Sequence, residues 1–177
     1  MTEAQATGST RQAAQGLLGI YLNDHLAGAT GGAELARRVA AARREEEVGD
    51  SLLRFAADVA ADCAALLEIM TTLGVPVRAY KVCAGWIGEK AGRLKLNGRL
   101  LSRSPLSSLE ELELMRLGVA GKAAGWRTLR VLADTDPRLD RDRLDELIAR
   151  ADSQLSLLED LRVRAALWAL GQAPAGG

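Results

Sequence analysis

A chain of 177 residues has room for one hydrophobic core, and its composition shows no break that would argue for two domains. Apolar residues make up 48% of it, mostly Ala and Leu with only three Trp, two Tyr and one Phe, which favours helix over strand. Basic and acidic side chains balance at 23 each, Met1 to Gln15 lacks the basic start and apolar run of a secretory signal, and no apolar run approaches bilayer length, so one cytoplasmic domain over 1–177 is expected.

Residues 1–10 are small and polar and are expected to fray. A first helix follows to about Glu46, with Leu18, Leu22, His25, Ala29, Gly32, Ala36 and Val39 at alternating four- and three-residue steps as its buried face. Gly28 and Gly32 predict a close helix contact or a local break, because each costs about 1 kcal/mol of helix stability relative to Ala. Glu34, Arg37, Arg38, Arg43 and Arg44 form the solvated side.

Asp50 is placed to cap a second helix. Its face reads Leu52, Ala56, Val59, Cys63, Leu66, Met70, Leu73, a seven-residue repeat, and Gly74 with Pro76 ends it. Ser108 and Glu111 have the spacing of a capping box at the start of a third helix. That helix shows Leu112, Met115, Val119, Lys122, Trp126, Leu129 and Ala133 on one face, with Gly118, Gly121 and Gly125 alongside for close backbone approach. Asp134, Asp136 and Pro137 break the chain before a fourth helix, from about Asp140 to Leu170. Leu144, Leu147, Ile148, Ala151, Leu155, Leu158, Leu161, Ala165 and Trp168 are its stripe. The tail 171–177 is loose.

The two helix pairs are separated by the stretch 74–105, far longer than the roughly two to eight residues that usually join neighbouring helices. Such a length predicts a crossover that leaves the second and third helices parallel. Tyr80 to Leu94 can form a short helix with Val82, Trp86 and Ile87 on its apolar side, and Asn97-Gly98 signals a turn. Arg78, Lys81, Lys90, Arg93, Lys95, Arg99 and Arg103 stand against Glu89 alone, a net of +6, so the remainder carries −6.

Each long helix carries polar residues on or beside its apolar stripe: His25, Asp62, Lys122, and the trio Gln154, Glu159 and Arg162. All fall near mid-helix and could meet at one depth. They could form a ligand site in the bundle core. The weightier alternative is a satisfied network, in which Asp62 and Glu159 pair with Lys122, Arg162 and His25 because buried charge must be compensated. Two cations among two carboxylates would repel a divalent metal, so no metal and no cofactor is expected. Cys63 and Cys83 share no metal-ligand spacing and are expected as free thiols. Cys63 in a helix seam is read as a small core hydrophobe, leaving no catalytic residue. Gly28-Ala29-Thr30-Gly31-Gly32 lacks the preceding strand and following Gly-Lys-Ser/Thr of a phosphate loop.

Two helix pairs joined by one long crossover resemble the ferritin-like superfamily. That resemblance implies a four-helix bundle with a dimetal centre built from a Glu on each of two helices and Glu-x-x-His on the other two. Here the corresponding strings are Glu68-Ile69-Met70-Thr71 and Glu159-Asp160-Leu161-Arg162, neither of which supplies the histidine. Leu22-Asn23-Asp24-His25-Leu26-Ala27-Gly28 and Gly92-Arg93-Leu94-Lys95-Leu96-Asn97-Gly98 resemble strings of a family of small bacterial helical proteins, which implies no activity.

The expectation is therefore an all-α, ferritin-like four-helix bundle with a helical crossover, a non-catalytic protein acting through association with itself or a protein partner. The first alternative is a diverged ferritin-like protein that binds a metal or small ligand at His25, Asp62 and Glu159. The second is nucleic-acid or membrane-surface contact through Lys81, Lys90, Arg93, Lys95 and Arg99 beside Trp86, against which stands a solvated basic strap over the chain's own acidic helix ends.

Overall fold

A computed structural model describes the backbone of residues 3–78 and 105–171, and side chains over 13–78 and 106–171. Among the described residues all regular structure is helical: α1 Glu3–Ala42, α2 Gly49–Thr72, α3 Pro105–Leu132 and α4 Arg141–Leu170. The segment expected to cross over, with its short helix and the Asn97-Gly98 turn, lies outside the described residues from 79 to 104, as does the tail from 172.

The helix ends follow from local chemistry, with four departures from expectation. α1 begins at Glu3 and runs unbroken through Gly28 and Gly32, neither of which has a neighbour close to where a Cβ would sit. The cost of those glycines is offset by burial of Leu22, Leu26, Leu35, Ala36 and Val39 on the same helix, and packing rather than propensity is what holds most protein helices. α1 also stops at Ala42, and Glu46 instead closes a tight turn by accepting the Gly49 N–H at 2.9 Å. A Cβ on Gly49 would lie 2.5 Å from the Arg44 carbonyl oxygen, so the turn needs glycine there. The residue preceding α2 is consequently Val48, which makes no side-chain cap, and Asp50 sits within the first turn, where its charge meets the positive end of the helix dipole. α3 begins at Pro105, a residue whose missing N–H is harmless at the first helical position. Ser108 and Glu111 are thus inside α3 rather than at its cap.

The other ends match the residues read for them. Gly74, at φ +69°, takes the left-handed turn that follows α2. The Val75 N–H reaches the Met70 carbonyl at 2.8 Å and the Gly74 N–H that of Thr71 at 3.0 Å, which satisfies carbonyls the helix end would leave open. Asp140 caps α4, its carboxylate accepting the Arg143 N–H at 3.1 Å.

Contacts between ends give the topology. Asn23 on α1 meets Pro76 and Arg78 just past α2, and Arg138, in the turn before α4, donates to the Leu73 carbonyl at the close of α2. At the opposite end Arg43, just past α1, approaches Glu111 of α3, and Glu47 pairs with Arg164 of α4. α1 and α2 therefore run antiparallel, as do α3 and α4, while α2 and α3 run parallel. One hydrophobic cluster draws on all four helices, with Leu22, Leu52, Met70, Leu112, Leu129, Leu144, Leu147 and Leu158 among its least exposed members. No helix among the described residues is long and apolar enough to cross a membrane.

Candidate functional site

The polar centre of the bundle is built on Asp62, which is 1% exposed. It faces inward because it is flanked by Phe55, Val59, Ala65 and Leu66 on the buried side of α2. One carboxylate oxygen, Oδ1, accepts from both Nε (2.7 Å) and Nη2 of Arg150 on α4. The other, Oδ2, accepts from Lys122 Nζ on α3 and from Gln154 Nε2 at 3.1 Å. Lys122 also donates to Gln154 Oε1, so Gln154 closes the ring by giving to the carboxylate and receiving from the ammonium. Each carboxylate oxygen thus takes two hydrogen bonds, all from side chains on α3 and α4.

The charges are unequal in exposure. The Lys122 side chain is 13% exposed and that of Arg150 is 30% exposed, so the guanidinium end of the cluster reaches the surface between α2 and α4 while the ammonium does not. Burial pulls the Lys122 ammonium below its usual titration range. The hydrogen bond and charge of Asp62 oppose this, and Arg150 adds to it. Chemically the arrangement is a compensated ion cluster: the carboxylate has no lone pair left to offer a metal without losing a donor.

Of the residues singled out from the sequence, Asp62, Lys122 and Gln154 come together, and Glu159, Arg162 and His25 do not join them. Glu159 lies near the surface, its carboxylate held low by Arg162 at 2.7 Å and by Arg116 of α3 at 2.9 Å. It falls five residues after Gln154, which turns it off the buried face. His25 is half-buried against α3: its ring packs 3.1 Å from where a Gly125 Cβ would be, and Tyr21 meets it edge-on with ring centres 4.4 Å apart. Burial lowers the imidazole pKa, with Asp24 partly restoring it. Tyr21 in turn donates to Thr128 Oγ1 at 3.1 Å, so this contact ties α1 to α3. Trp168, read as part of the α4 stripe, is 56% exposed. The basic residues Lys81, Lys90, Arg93, Lys95 and Arg99 lie outside the described residues.

Arg150 was not among the residues read from the sequence. Its signal was present, since it precedes Gln154 by one helical turn, but arginine on a charged helix face is normally solvated. Two further buried polar residues went unread in the same way. Asn23 donates from Nδ2 to the Gly19 and Pro76 carbonyls and accepts the Arg78 N–H on Oδ1, and so fastens the chain beyond α2 to α1. Arg43, read as solvated, is 8% exposed and stands 3.8 Å from Glu111.

Among the described residues no group of three or more His, Cys, Asp or Glu is placed to hold a metal ion. Cys63 is a free thiol at the edge of the core. No protein-family model, curated protein or solved structure matches the chain.

Proposed function

We propose that this is a non-catalytic helical bundle that acts by association, first with a second copy of itself. The polar centre supports a structural rather than a chemical role, because Asp62, Lys122, Arg150 and Gln154 satisfy one another. The observation that carries the association is on the outside: Val163, Leu167 and Leu170, 43%, 67% and 66% exposed, follow at four- and three-residue steps along the outer face of α4. Scattered exposed apolar residues are ordinary, whereas a row at helical spacing is the pattern by which one amphipathic helix packs against another. The parallel run of α2 and α3 supports a ferritin-like layout for the whole chain.

Light scattering coupled to size exclusion tests the reading. Self-association that weakens on dilution and is abolished by Leu167→Glu with Leu170→Glu is the expected result. A monomer at every concentration, with the double variant eluting identically, defeats it.

A further inference from the structure

Between α1 and α2 runs an open groove of about 520 Å³, walled by Thr30, Ala33 and Arg37 on one side and by Ala56, Ala60 and Cys63 on the other. It is open because α2 turns small residues outward: Ala57, Ala60 and Ala64 are exposed between Leu53 and Leu67, themselves 42% and 38% exposed. Positions 53, 57, 60, 64 and 67 recur at four- and three-residue steps, so α2 carries a second apolar face besides the one turned to the core.

The exposed row on α4 complements this groove in shape, length and charge. Val163 and Leu170 are seven residues apart, about 10.5 Å along the helix, and so are Ala56 and Cys63 on one wall of the groove and Thr30 and Arg37 on the other. Bulky side chains stand out on α4 where the groove offers methyl-sized ones, and stable interfaces pack as densely as protein interiors. Asp160 is exposed three residues before Val163, and Arg54 is exposed three residues before Ala57, at the same end of the groove as Arg37. Arg54 bonds only the Ser51 hydroxyl, and among the described residues neither it nor Asp160 has an ion pair within the chain. Aligning the free anion with the free cation lays α4 of one copy parallel to α2 of another, which fixes the direction of docking.

We propose that the α4 row of one copy seats in the α1–α2 groove of the next, with Val163, Leu167 and Leu170 against Ala56, Ala60 and Cys63 and with Asp160 beside Arg54. This rests on self-association through α4 and adds the surface that receives it. The row and the groove are different faces of one bundle, so the contact is head-to-tail: a pair leaves one row and one groove unused, and association continues past two chains into a ring or an open chain.

Mixing two variants tests the arrangement. Ala60→Arg blocks the groove and leaves the α4 row intact, whereas Leu167→Glu with Leu170→Glu spoils the row and leaves the groove intact. By light scattering each alone should be monomeric at concentrations where the native protein associates. Mixed in equal amounts they should give a species of two chains and none larger, because one copy supplies the only sound row and the other the only sound groove. Ala57→Arg, on the same wall, takes the place of Ala60→Arg if that variant loses its helical circular dichroism. An Ala60→Arg protein that associates as the native one does overturns the groove as the seat while α4 association stands, and a mixture that stays monomeric overturns the head-to-tail contact. A native protein that is monomeric at every concentration removes the α4 reading and this one with it.

Discussion

Replacing Asp62 by Leu removes the one anion that three helices share. Arg150, 30% exposed on its side chain, can turn to solvent, but the Lys122 ammonium, 13% exposed, keeps the Gln154 carbonyl as its hydrogen-bond acceptor and only the weaker field of Asp58 as a negative charge. Breaking a buried ion pair from one side typically costs about 3–5 kcal/mol, because the orphaned charge stays desolvated. Lys122 has an escape, which bounds its share. Shedding its proton at pH 7 from an unfolded-state value of 10.5 costs about 1.4 kcal/mol per unit over the gap, roughly 5 kcal/mol in all. In that variant the folded state binds fewer protons than the unfolded chain between the lowered Lys122 pKa and 10.5, so its stability recovers as pH rises through that window. Urea unfolding followed by helical circular dichroism gives the cost. Adding Lys122→Met to Asp62→Leu should return most of it, since apolar replacement of a whole buried ion cluster is often neutral or better. A loss below about 1 kcal/mol for Asp62→Leu, with no recovery toward pH 9.5, would show that Lys122 finds water and that the cluster is not a closed centre.

Two further outcomes follow from single positions. Gly118→Ala and Gly121→Ala meet nothing within 4 Å and should each stabilise α3 by about 0.5–1 kcal/mol, whereas Gly125→Ala sets a methyl 3.1 Å from the His25 ring and should gain nothing or lose about 1 kcal/mol; thermal unfolding of the three variants ranks them. His25 has a folded-state pKa below its usual 6.5, so the unfolded chain binds more protons just below that value and stability falls as pH drops from 6.5 through the folded value. His25→Gln should flatten that part of the pH profile, and an unchanged slope between pH 6.5 and 5 would assign the loss to other groups.

Leu112, Met115, Val119, Trp126 and Leu129 of α3 and Ala133 just past it are buried as their spacing predicts, and Gly74 and Asp140 stand at helix ends as read, because these depend on steric and hydrogen-bonding demands within a turn or two of chain. Of the three glycines beside that α3 face, only Gly125 marks a close approach, and nothing in spacing separates it from Gly118 and Gly121. α2 shows the limit most clearly. Its seven-residue repeat through Ala56 and Cys63 is genuine, yet the helix is turned so that Phe55 and Asp62 are the more deeply buried, with Ala56 and Cys63 only partly covered on the α1 side. A periodicity defines a face only to within about one residue's rotation of 100°. Where that face settles depends on the volume of Phe55 and on the cations offered by α3 and α4.

The polar centre illustrates the same division. Helical spacing placed His25, Asp62, Lys122, Gln154, Glu159 and Arg162 near mid-helix, which is a statement about height along the bundle. Height alone does not say which of them meet. Asp62 found Lys122, Gln154 and Arg150 because those side chains share its azimuth as well as its level, while Glu159 and Arg162, five and eight residues after Gln154, close on each other near the surface, where Glu159 also meets Arg116. Local sequence prescribes where each helix begins, ends and turns its apolar side, since those are short-range energies. The pairing of charges across helices is a long-range outcome of how the cylinders rotate to fill one core, and no stretch of chain contains it.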